Sequence, residues 1–303
     1  MILVTGGLGM IGAHTARALV ELGHEVVVTS HRRAEVPSFL AGRVAVESLD
    51  VTDRAAFLAL ADRYAVTEIV HLAGSIPAGS PVDFFRTDLA GLLNALDAAR
   101  TWGVRRFAVA SSLGVYLGQG EIPWHEGLAL PTAELPHLII AYKKAVEPLT
   151  THSLQGTGVQ PVVLRIGTIW GPLVDPESQF FYFPPYLSAV LRGESPQPLS
   201  ADDGGDSCYA PDAGRAIALL TTAPTLRYDT YNVSSGRPYT NREFAEALAA
   251  AGYHLDLIPG RTSPGDNPYL DITRLTEDTG FTPAYDLTKA VADYVAWRTD
   301  NAR

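Results

Sequence analysis

The first 22 residues restrict the fold of this chain more than any other stretch. Residues 2–5 form an apolar run typical of a buried strand, and Gly6, Gly9 and Gly12 follow at the spacing TGxxGxxG. These are positions where a tight turn, a close backbone approach and close helix packing exclude a side chain. Residues 13–22 then carry apolar positions at helical period. The pattern predicts a strand, a glycine turn and a helix whose free N–H groups bind a diphosphate.

A second strand supports this interpretation, because a glycine pattern alone is weak evidence and also occurs in structural turns without a ligand. Residues 25–29 follow Gly23 and complete a βαβ unit. We therefore expect Met10 and Ile11, together with the three glycines, to line the diphosphate site.

The following residues alternate short apolar runs with amphipathic segments. Strands are predicted at 44–47, 68–72, 106–111, 160–165 and 230–233, and helices at 53–64, 84–102, 138–154, 186–192, 212–222, 240–251 and 286–298. This alternation predicts a Rossmann-type, doubly wound α/β fold with a parallel sheet. It loosens after Arg165, where prolines break the chain into turns.

Composition excludes several classes of partner. The 303 residues carry a net charge of -10, which argues against a nucleic-acid or anionic-membrane surface. Cys208 is the single cysteine, so neither an intramolecular disulfide nor a zinc cluster is expected. With no signal peptide and no membrane-spanning run, we expect a cytoplasmic protein without a metal.

Several recognisable sequence motifs lie at or after the ends of the predicted strands. They are HLAG at 71–74, SSLGVY at 111–116, LRIGTIWGP at 164–172, YNVSSG at 231–236 and LDITRLTEDTGFTP at 270–283. With the glycine turn, they resemble the extended short-chain dehydrogenase/reductase family, of the NAD-dependent epimerase/dehydratase kind, over nearly the whole chain.

The resemblance implies an oxidoreductase with a nicotinamide cofactor across the carboxyl ends of the strands. It implies a cofactor domain of residues 1–165 with 206–235 returning to it. Residues 166–205 and 236–303 would form a smaller substrate domain. It also implies a homodimer formed by the helices that begin near Phe84 and Leu138.

The end of the second strand indicates which cofactor binds. An acidic residue there would accept hydrogen bonds from a ribose 2′-hydroxyl and repel a 2′-phosphate. This chain instead has Ser30, His31, Arg32 and Arg33. A guanidinium matches phosphate geometry, so we predict NADP(H), although an exposed basic loop without a ligand is the alternative.

Further cofactor contacts follow from the resemblance alone. Asp50 and Val51 match the adenine-contacting pair, although this segment also fits a helix N-cap. Leu72, Ala73 and Gly74 match the segment that lines the cofactor after the fourth strand.

Catalysis in the family rests on Ser, Tyr and Lys, with the Tyr four residues before the Lys. If Tyr142 were that tyrosine, Val146 would replace the lysine, and if Lys143 is the lysine, Ile139 replaces the tyrosine. Spacing favours Lys143, because Glu147 follows at the family's KxxxE interval. Ser112 takes the serine position. A solvated lysine paired with Glu147 and a buried hydroxyl are the structural alternatives.

Without the tyrosine, an enzyme needs another proton source, since general acid catalysis typically contributes ~10²–10⁴-fold. Tyr142, Tyr116 and His137 are near in sequence. A phenolic ketone could instead carry the developing charge itself, with water supplying the proton later. A third alternative is a cofactor-binding sensor or scaffold without chemistry.

The substrate segments depart from those of nucleotide-sugar relatives. Thr168 stands where they usually have Asn, and Gly205 precedes Asp206 where they usually have Arg. Because a diphosphate without that cation is poorly neutralised, we expect a different substrate.

Residues 175–187 suit a lid over an apolar aromatic ligand, or alternatively a domain core. The lid aromatics are Phe180, Phe181, Tyr182, Phe183 and Tyr186, the proposed walls are Trp124, Trp170 and Tyr209, and further substrate contacts are Ile139, Tyr116 and Thr168.

These features together predict an NADPH-dependent ketoreductase acting on an apolar, phenolic, polyketide-like ketone in antibiotic biosynthesis. The missing tyrosine adds a resemblance to the tyrosine-less angucyclinone ketoreductases. The alternatives are a nucleotide-sugar epimerase or dehydratase and a non-catalytic NADP-binding module.

Overall fold

The main sheet contains seven parallel strands in the order β11-β6-β5-β4-β1-β2-β3. The computed structural model describes residues 1–33, 35–77, 79–133, 135–178, 183–260 and 266–302. The strands, in chain order, are β1 Ile2–Thr5, β2 Val26–Ser30, β3 Ala45–Ser48, β4 Glu68–His71, β5 Arg106–Ser112, β6 Gln160–Ile166, β7 Ile169–Trp170, β8 Leu199–Ser200, β9 Gly204–Asp206, β10 Cys208–Tyr209, β11 Thr230–Val233, β12 Pro238–Thr240 and β13 Leu257–Ile258.

Helices cover both faces of this sheet. They are α1 Met10–Glu21, α2 Arg54–Leu58, α3 Pro81–Trp102, α4 Leu138–Leu154, α5 Phe183–Leu191, α6 Ala210–Thr222, α7 Asn241–Ala250, α8 Thr273–Thr279 and α9 Leu287–Asp300. Successive strand residues point to opposite faces, so Val4 packs with α1 and α6 while Leu3 packs with α3 and α4. The predicted doubly wound α/β fold is confirmed.

Element bounds differ from the predictions mainly where caps and short strands decide them. The helix predicted over 240–251 is α7, and a capping box of Thr240 and Glu243 starts it. The helix predicted over 53–64 ends at Leu58 and continues as the 3-10 turn Ala59–Asp62. Several strands of two or three residues were not predicted, because runs this short carry no readable period.

The carboxyl-terminal part of the chain contributes to two cores. Trp170, Phe183 and Phe244 belong to a second hydrophobic cluster, here called the small lobe, which α5, α7 and α9 help to form. Leu275 and Phe281, from the range predicted for the substrate domain, pack instead into the core beneath α1 and α6. None of the helices in the described ranges is long and apolar enough to cross a membrane.

Candidate active site

The glycine turn after β1 leaves room for a ligand and none for side chains. Gly6 has a φ of 67°, and a Cβ on Gly12 would lie 2.3 Å from the Gly6 carbonyl oxygen. Helix α1 begins after its N-cap residue Gly9, which has no side chain to cap the helix. The turn therefore presents backbone N–H groups and the positive end of the helix dipole, which fit the diphosphate of a dinucleotide.

The segment after β4 lies against this turn. Ala73 N donates to Thr5 Oγ1 over 3.3 Å, and a Cβ on Gly6 would lie 2.9 Å from Ala73 N. Thr5 Oγ1 is also 2.9 Å from His71 Nδ1, and burial lowers the pKa of His71 to about 3. Leu72 and Ala73 are half-buried and Gly74 is exposed, so all three stay predictions for the cofactor contact.

At the end of β2 the predicted phosphate-binding residues separate into two groups. Arg33 Nη1 donates to the Leu8 carbonyl in the glycine turn at 2.7 Å, and Arg33 N donates to Ser30 Oγ at 3.2 Å. Arg32 and His31 are exposed. Arg33 thus also supports the turn, which the sequence did not indicate.

Asp50 forms a local turn of its own. Its Oδ1 accepts hydrogen bonds from Thr52 N at 2.9 Å and Thr52 Oγ1 at 2.8 Å, which hold the pKa of Asp50 below its usual value. Asp53 of the same segment, 50–53, is the N-cap of α2, so the N-cap interpretation of the segment is confirmed. Asp50 and the half-buried Val51 therefore remain predictions for the adenine contact.

Lys143 and Tyr142 point in different directions from α4. Lys143 Nζ donates to the Ala110 carbonyl of β5 at 2.7 Å, and burial lowers the pKa of Lys143 to about 8. Tyr142 is 6% exposed, packs edge-on against Phe84, and donates from its hydroxyl to the Asp88 carbonyl at 3.1 Å. Only Lys143 reaches the end of β5.

Ser112 is the last residue of β5, the strand that Lys143 contacts. It follows two residues after Ala110, whose carbonyl accepts the hydrogen bond from Lys143. Its Oγ accepts a hydrogen bond from Gly114 N at 3.1 Å and caps the 3-10 turn Leu113–Tyr116. Ile139 is half-buried one turn before Lys143, and Ile139 N donates to His137 Nδ1 at 3.2 Å.

Asp88 is a site residue that the sequence analysis missed. Its carboxylate is buried and accepts hydrogen bonds from Ser75 N at 3.0 Å and from Ser75 Oγ. Its charge raises the pKa of Lys143 against the larger effect of burial. A carboxylate on the otherwise apolar buried face of α3, between Phe84 and Leu92, was the available signal.

A buried ion pair lies behind this part of the cleft. Arg165 donates to Glu147 Oε1 at 3.0 Å and to Oε2 at 2.8 Å, and Ser111 Oγ donates to Oε1 at 2.6 Å. Arg165 also donates to the Tyr116 hydroxyl, which donates to Asn232. Tyr116 is fully buried, and burial raises its pKa to about 12. This corrects its predicted contact with substrate.

Several other predicted substrate residues are buried in the hydrophobic core and do not line the cleft. Trp124, Trp170 and Tyr209 are each at most 5% exposed. In the predicted lid, Phe183 is 3% exposed and stacks on Phe244 at 4.1 Å, while Tyr186 is half-buried. Core packing therefore holds α5 in the lobe. The other lid residues, Phe180, Phe181 and Tyr182, lie outside the described residues.

Thr168 and Gly205 lie next to a buried carboxylate. Asp206 accepts hydrogen bonds from Thr168 N at 3.0 Å, Ser234 Oγ at 2.7 Å and Leu270 N at 3.1 Å. Burial raises the pKa of Asp206. These bonds join the segment after β6 to the end of β11, so Asp206 is a structural connection.

Comparison with known proteins identifies the relatives. The model of the NAD dependent epimerase/dehydratase family matches residues 2–234. The UDP-glucose 4-epimerase of Mus musculus is 26% identical over 341 residues, covering 99% of this chain and 97% of that protein. The UDP-glucuronate 4-epimerase of Thermodesulfobacterium geofontis is 25% identical over 267 residues, covering 81% and 79%.

Solved structures agree with these relatives. The Thermus thermophilus UDP-glucose 4-epimerase complex with NAD is 27% identical, with a TM-score of 0.77 over 99% of both chains. The Thermotoga maritima UDP-glucose 4-epimerase with UDP-glucose has a TM-score of 0.81 at 23% identity, covering 100% of this chain and 99% of that one. At that identity the second likeness shows the fold.

These comparisons overturn the predicted ketoreductase. Its expected partner, an apolar aromatic ketone, and its place in polyketide antibiotic biosynthesis were wrong, because the relatives are UDP-sugar 4-epimerases. The closer resemblance, to the angucyclinone ketoreductase of simocyclinone biosynthesis, finds no support. The substrate prediction from Thr168 and Gly205 was wrong, because substitutions at two positions carry less information than a similarity that spans the chain.

Proposed function

Since the chain belongs to the NAD dependent epimerase/dehydratase family, we propose that it is a pyridine-nucleotide-dependent epimerase of a nucleotide sugar. The observation that carries the chemistry is the half-buried Lys143 side chain, whose amine donates to the Ala110 carbonyl near the carboxyl end of β5. Ser112 ends the same strand, β5, and the fit of the glycine turn to a diphosphate supports the cofactor.

Lys143 has the properties of a proton acceptor and donor in this reaction. The glycine turn of Gly6, Gly9 and Gly12 would hold a pyridine nucleotide, which would supply hydride transfer from a sugar carbon and back to the opposite face of the resulting ketone. The neutral amine accepts the proton of the reacting hydroxyl, and the ammonium returns it. A pKa of about 8 leaves both forms of Lys143 populated near neutral pH. Ser112 would hold the same hydroxyl.

Thr168 and Gly205 bear on how tightly the substrate is held. If they replace an amide and a guanidinium, one lost charge-assisted hydrogen bond costs about 1.5–3 kcal/mol. We therefore expect a dissociation constant for UDP-glucose roughly 10–100-fold higher than in an epimerase that has the arginine.

The test uses the purified chain with UDP-glucose and no added cofactor. We expect nucleotide to be released on denaturation and UDP-galactose to accumulate, as measured by chromatography and NMR. Lys143→Met should lower the rate ~10²–10⁴-fold while retaining nucleotide. Lys144→Met, at the adjacent position of the same helix, is the matched control and should keep the wild-type rate.

Ile139 favours one rival, a nucleotide-binding module without chemistry, because it stands where the family has its tyrosine. That rival predicts bound nucleotide but no product from any of UDP-glucose, UDP-glucuronate and UDP-N-acetylglucosamine. Absence of product from the whole panel, with nucleotide retained, would overturn the epimerase proposal.

The exposed residues at the end of β2 support a finer proposal, that the nucleotide carries a 2′-phosphate. Arg32 is exposed beside Ser30 and His31, and β2 does not end in a carboxylate. The solved relative from Thermus thermophilus holds NAD. Calorimetry should show Arg32→Ala weakening NADP⁺ roughly 10-fold or more and NAD⁺ little. Equal weakening of both nucleotides would contradict this specificity.

A further inference from the structure

The ends of β2 and β3 bring an imidazole and a carboxylate together. The two strands pair in parallel with Ser30 beside Ser48, and Leu49 N donates to the Ser30 carbonyl at 3.0 Å. The residues that follow, His31 and Asp50, therefore leave the sheet at the same edge. His31 Nε2 lies 3.7 Å from Asp50 Oδ2, which is an ion-pair distance. This pair stands where the proposed 2′-phosphate site begins.

The Asp50 carboxylate is oriented toward His31 by its own segment. Its Oδ1 accepts both hydrogen bonds from Thr52, so Oδ2 is the oxygen that faces the imidazole. The same hydrogen bonds hold the pKa of Asp50 below its usual value, and the carboxylate is charged at neutral pH. Because β2 itself ends in Ser30, the negative charge at this edge comes from the end of β3.

The pair is weak enough to be exchanged. The side chains of His31 and Asp50 are 52% and 43% exposed, and an exposed ion pair contributes little because water solvates both charges. A phosphate monoester carries a charge of about −1.5 to −2 and three acceptor oxygens. It therefore offers a protonated imidazole a stronger partner than one carboxylate does. NAD⁺ has no such group and leaves the pair in place.

We propose that His31 and Asp50 select between the two pyridine nucleotides by an exchange of partner, in which a bound 2′-phosphate takes the imidazole from Asp50. The proposal rests on the proposed function in its finer form, a nucleotide with a 2′-phosphate. Its consequence is that Asp50 is a specificity-determining residue that weakens NADP⁺ binding. The Asp50 carboxylate both holds His31 back and repels the phosphate, so it limits the preference that Arg32 creates.

A double-mutant cycle of His31→Gln and Asp50→Asn in the full chain tests the exchange, with NADP⁺ affinity measured by calorimetry near neutral pH. Asparagine keeps the Oδ1 acceptor for Thr52, so the segment keeps its shape. We expect Asp50→Asn to bind NADP⁺ about 3–10-fold more tightly than wild type. His31→Gln should weaken NADP⁺ about 3-fold alone but about 10-fold in the Asp50→Asn background, because only with Asp50 present must the imidazole first leave a carboxylate.

The affinity for NAD⁺ is the reference, because NAD⁺ lacks only the phosphate. Each result is expressed as the ratio of the two affinities, so a contact of Asp50 with the shared adenine cancels. The opposite end of β2 supplies matched controls. His24→Gln and Glu25→Gln remove an exposed imidazole and an exposed carboxylate there, and neither should change the ratio.

Equal effects of His31→Gln in the two backgrounds would overturn the exchange, since the two residues would then act independently. Weaker NADP⁺ binding by Asp50→Asn, relative to NAD⁺, would overturn it as well. Histidine NMR gives a second readout, in which the ring signal that is lost in His31→Gln identifies His31. NADP⁺ should shift this signal more than NAD⁺ does, and equal shifts would contradict the exchange.

These measurements need no sugar, so their outcome is distinguishable from that of the proposed function. A chain that forms no product but shows the coupling would lose the epimerase and keep the exchange. Selective weakening of NADP⁺ by Arg32→Ala without any coupling between His31 and Asp50 would keep the 2′-phosphate site and remove the exchange.

Discussion

The glycine turn and the amino-terminal half of α4 border the same end of the sheet but are held by different forces. At the turn, close backbone contacts exclude a side chain, as between Gly12 and the Gly6 carbonyl. At α4, buried polar side chains decide what the site can do, through the contacts of Lys143, Tyr142 and Glu147. The turn tolerates almost no change of residue, whereas α4 folds with Ile139 at the position where the family has its tyrosine.

The largest expected effect lies behind α4. Arg165→Met leaves the buried Glu147 carboxylate without its cation, which should cost about 3–5 kcal/mol of unfolding free energy. Urea unfolding followed by circular dichroism measures it. Arg54→Met, which breaks an exposed pair with Asp97, should cost about 1 kcal/mol or less. Similar costs for the two variants would contradict the contrast between buried and exposed charge.

Acid should lower the free energy of unfolding through two buried histidines near the glycine turn, His14 and His71. Burial lowers the pKa of His14 to about 4 and that of His71 to about 3, whereas the unfolded imidazoles titrate near 6.5. Below pH 6.5 only the unfolded state gains these protons, so stability falls with pH. The loss from His14 is roughly 3 kcal/mol by pH 4.

Unfolding curves from pH 7.5 to 4 test this expectation. His14→Phe removes one titrating group and keeps a ring against Phe39, so stability should depend less steeply on pH. His254→Gln changes an exposed residue and should keep the wild-type dependence. If stability depended on pH equally steeply in His14→Phe and in the wild type, the His14 imidazole would have the same pKa in the folded and unfolded states, which would contradict the expectation.

At the turn itself, Gly12→Ala would place a Cβ 2.3 Å from a backbone oxygen. Overpacking of this kind costs about 1–3 kcal/mol, and the displaced turn should lose most of its nucleotide affinity. Calorimetry with NADP⁺ and thermal unfolding measure the two effects. Gly120→Ala, where a Cβ meets nothing within 4 Å, is the control. Wild-type affinity in the Gly12 variant would mean that the turn does not hold the diphosphate.

Tyr142→Phe should have the smallest effect. It removes one hydrogen bond to the Asp88 carbonyl, worth about 1 kcal/mol, and leaves the ring packed on Phe84. Turnover of UDP-glucose should stay within a few-fold of wild type. A loss comparable with that of Lys143→Met would instead make Tyr142 the proton carrier.

Features with a local physical cause were predictable. The glycine turn, the capping box of α7 and the bounds of α4 follow from steric exclusion, side-chain capping and helical period, and the structure has them. The role of Tyr116 was not predictable, because only the fold brings Asn232 and Arg165 to its hydroxyl. The prediction of the substrate class was also wrong, because the two substituted positions, Thr168 and Gly205, say little about which ligands the rest of the cleft accepts.

Residue order alone determined the alternation of strands and helices and the excluded side chains at the turn, since these depend on neighbours within a few positions. Only the tertiary structure decided that Lys143 turns to Ala110 while Tyr142 turns to Asp88, and that Asp88 holds Ser75. These contacts join residues far apart in the chain, and burial gives them their strength by removing the competing water.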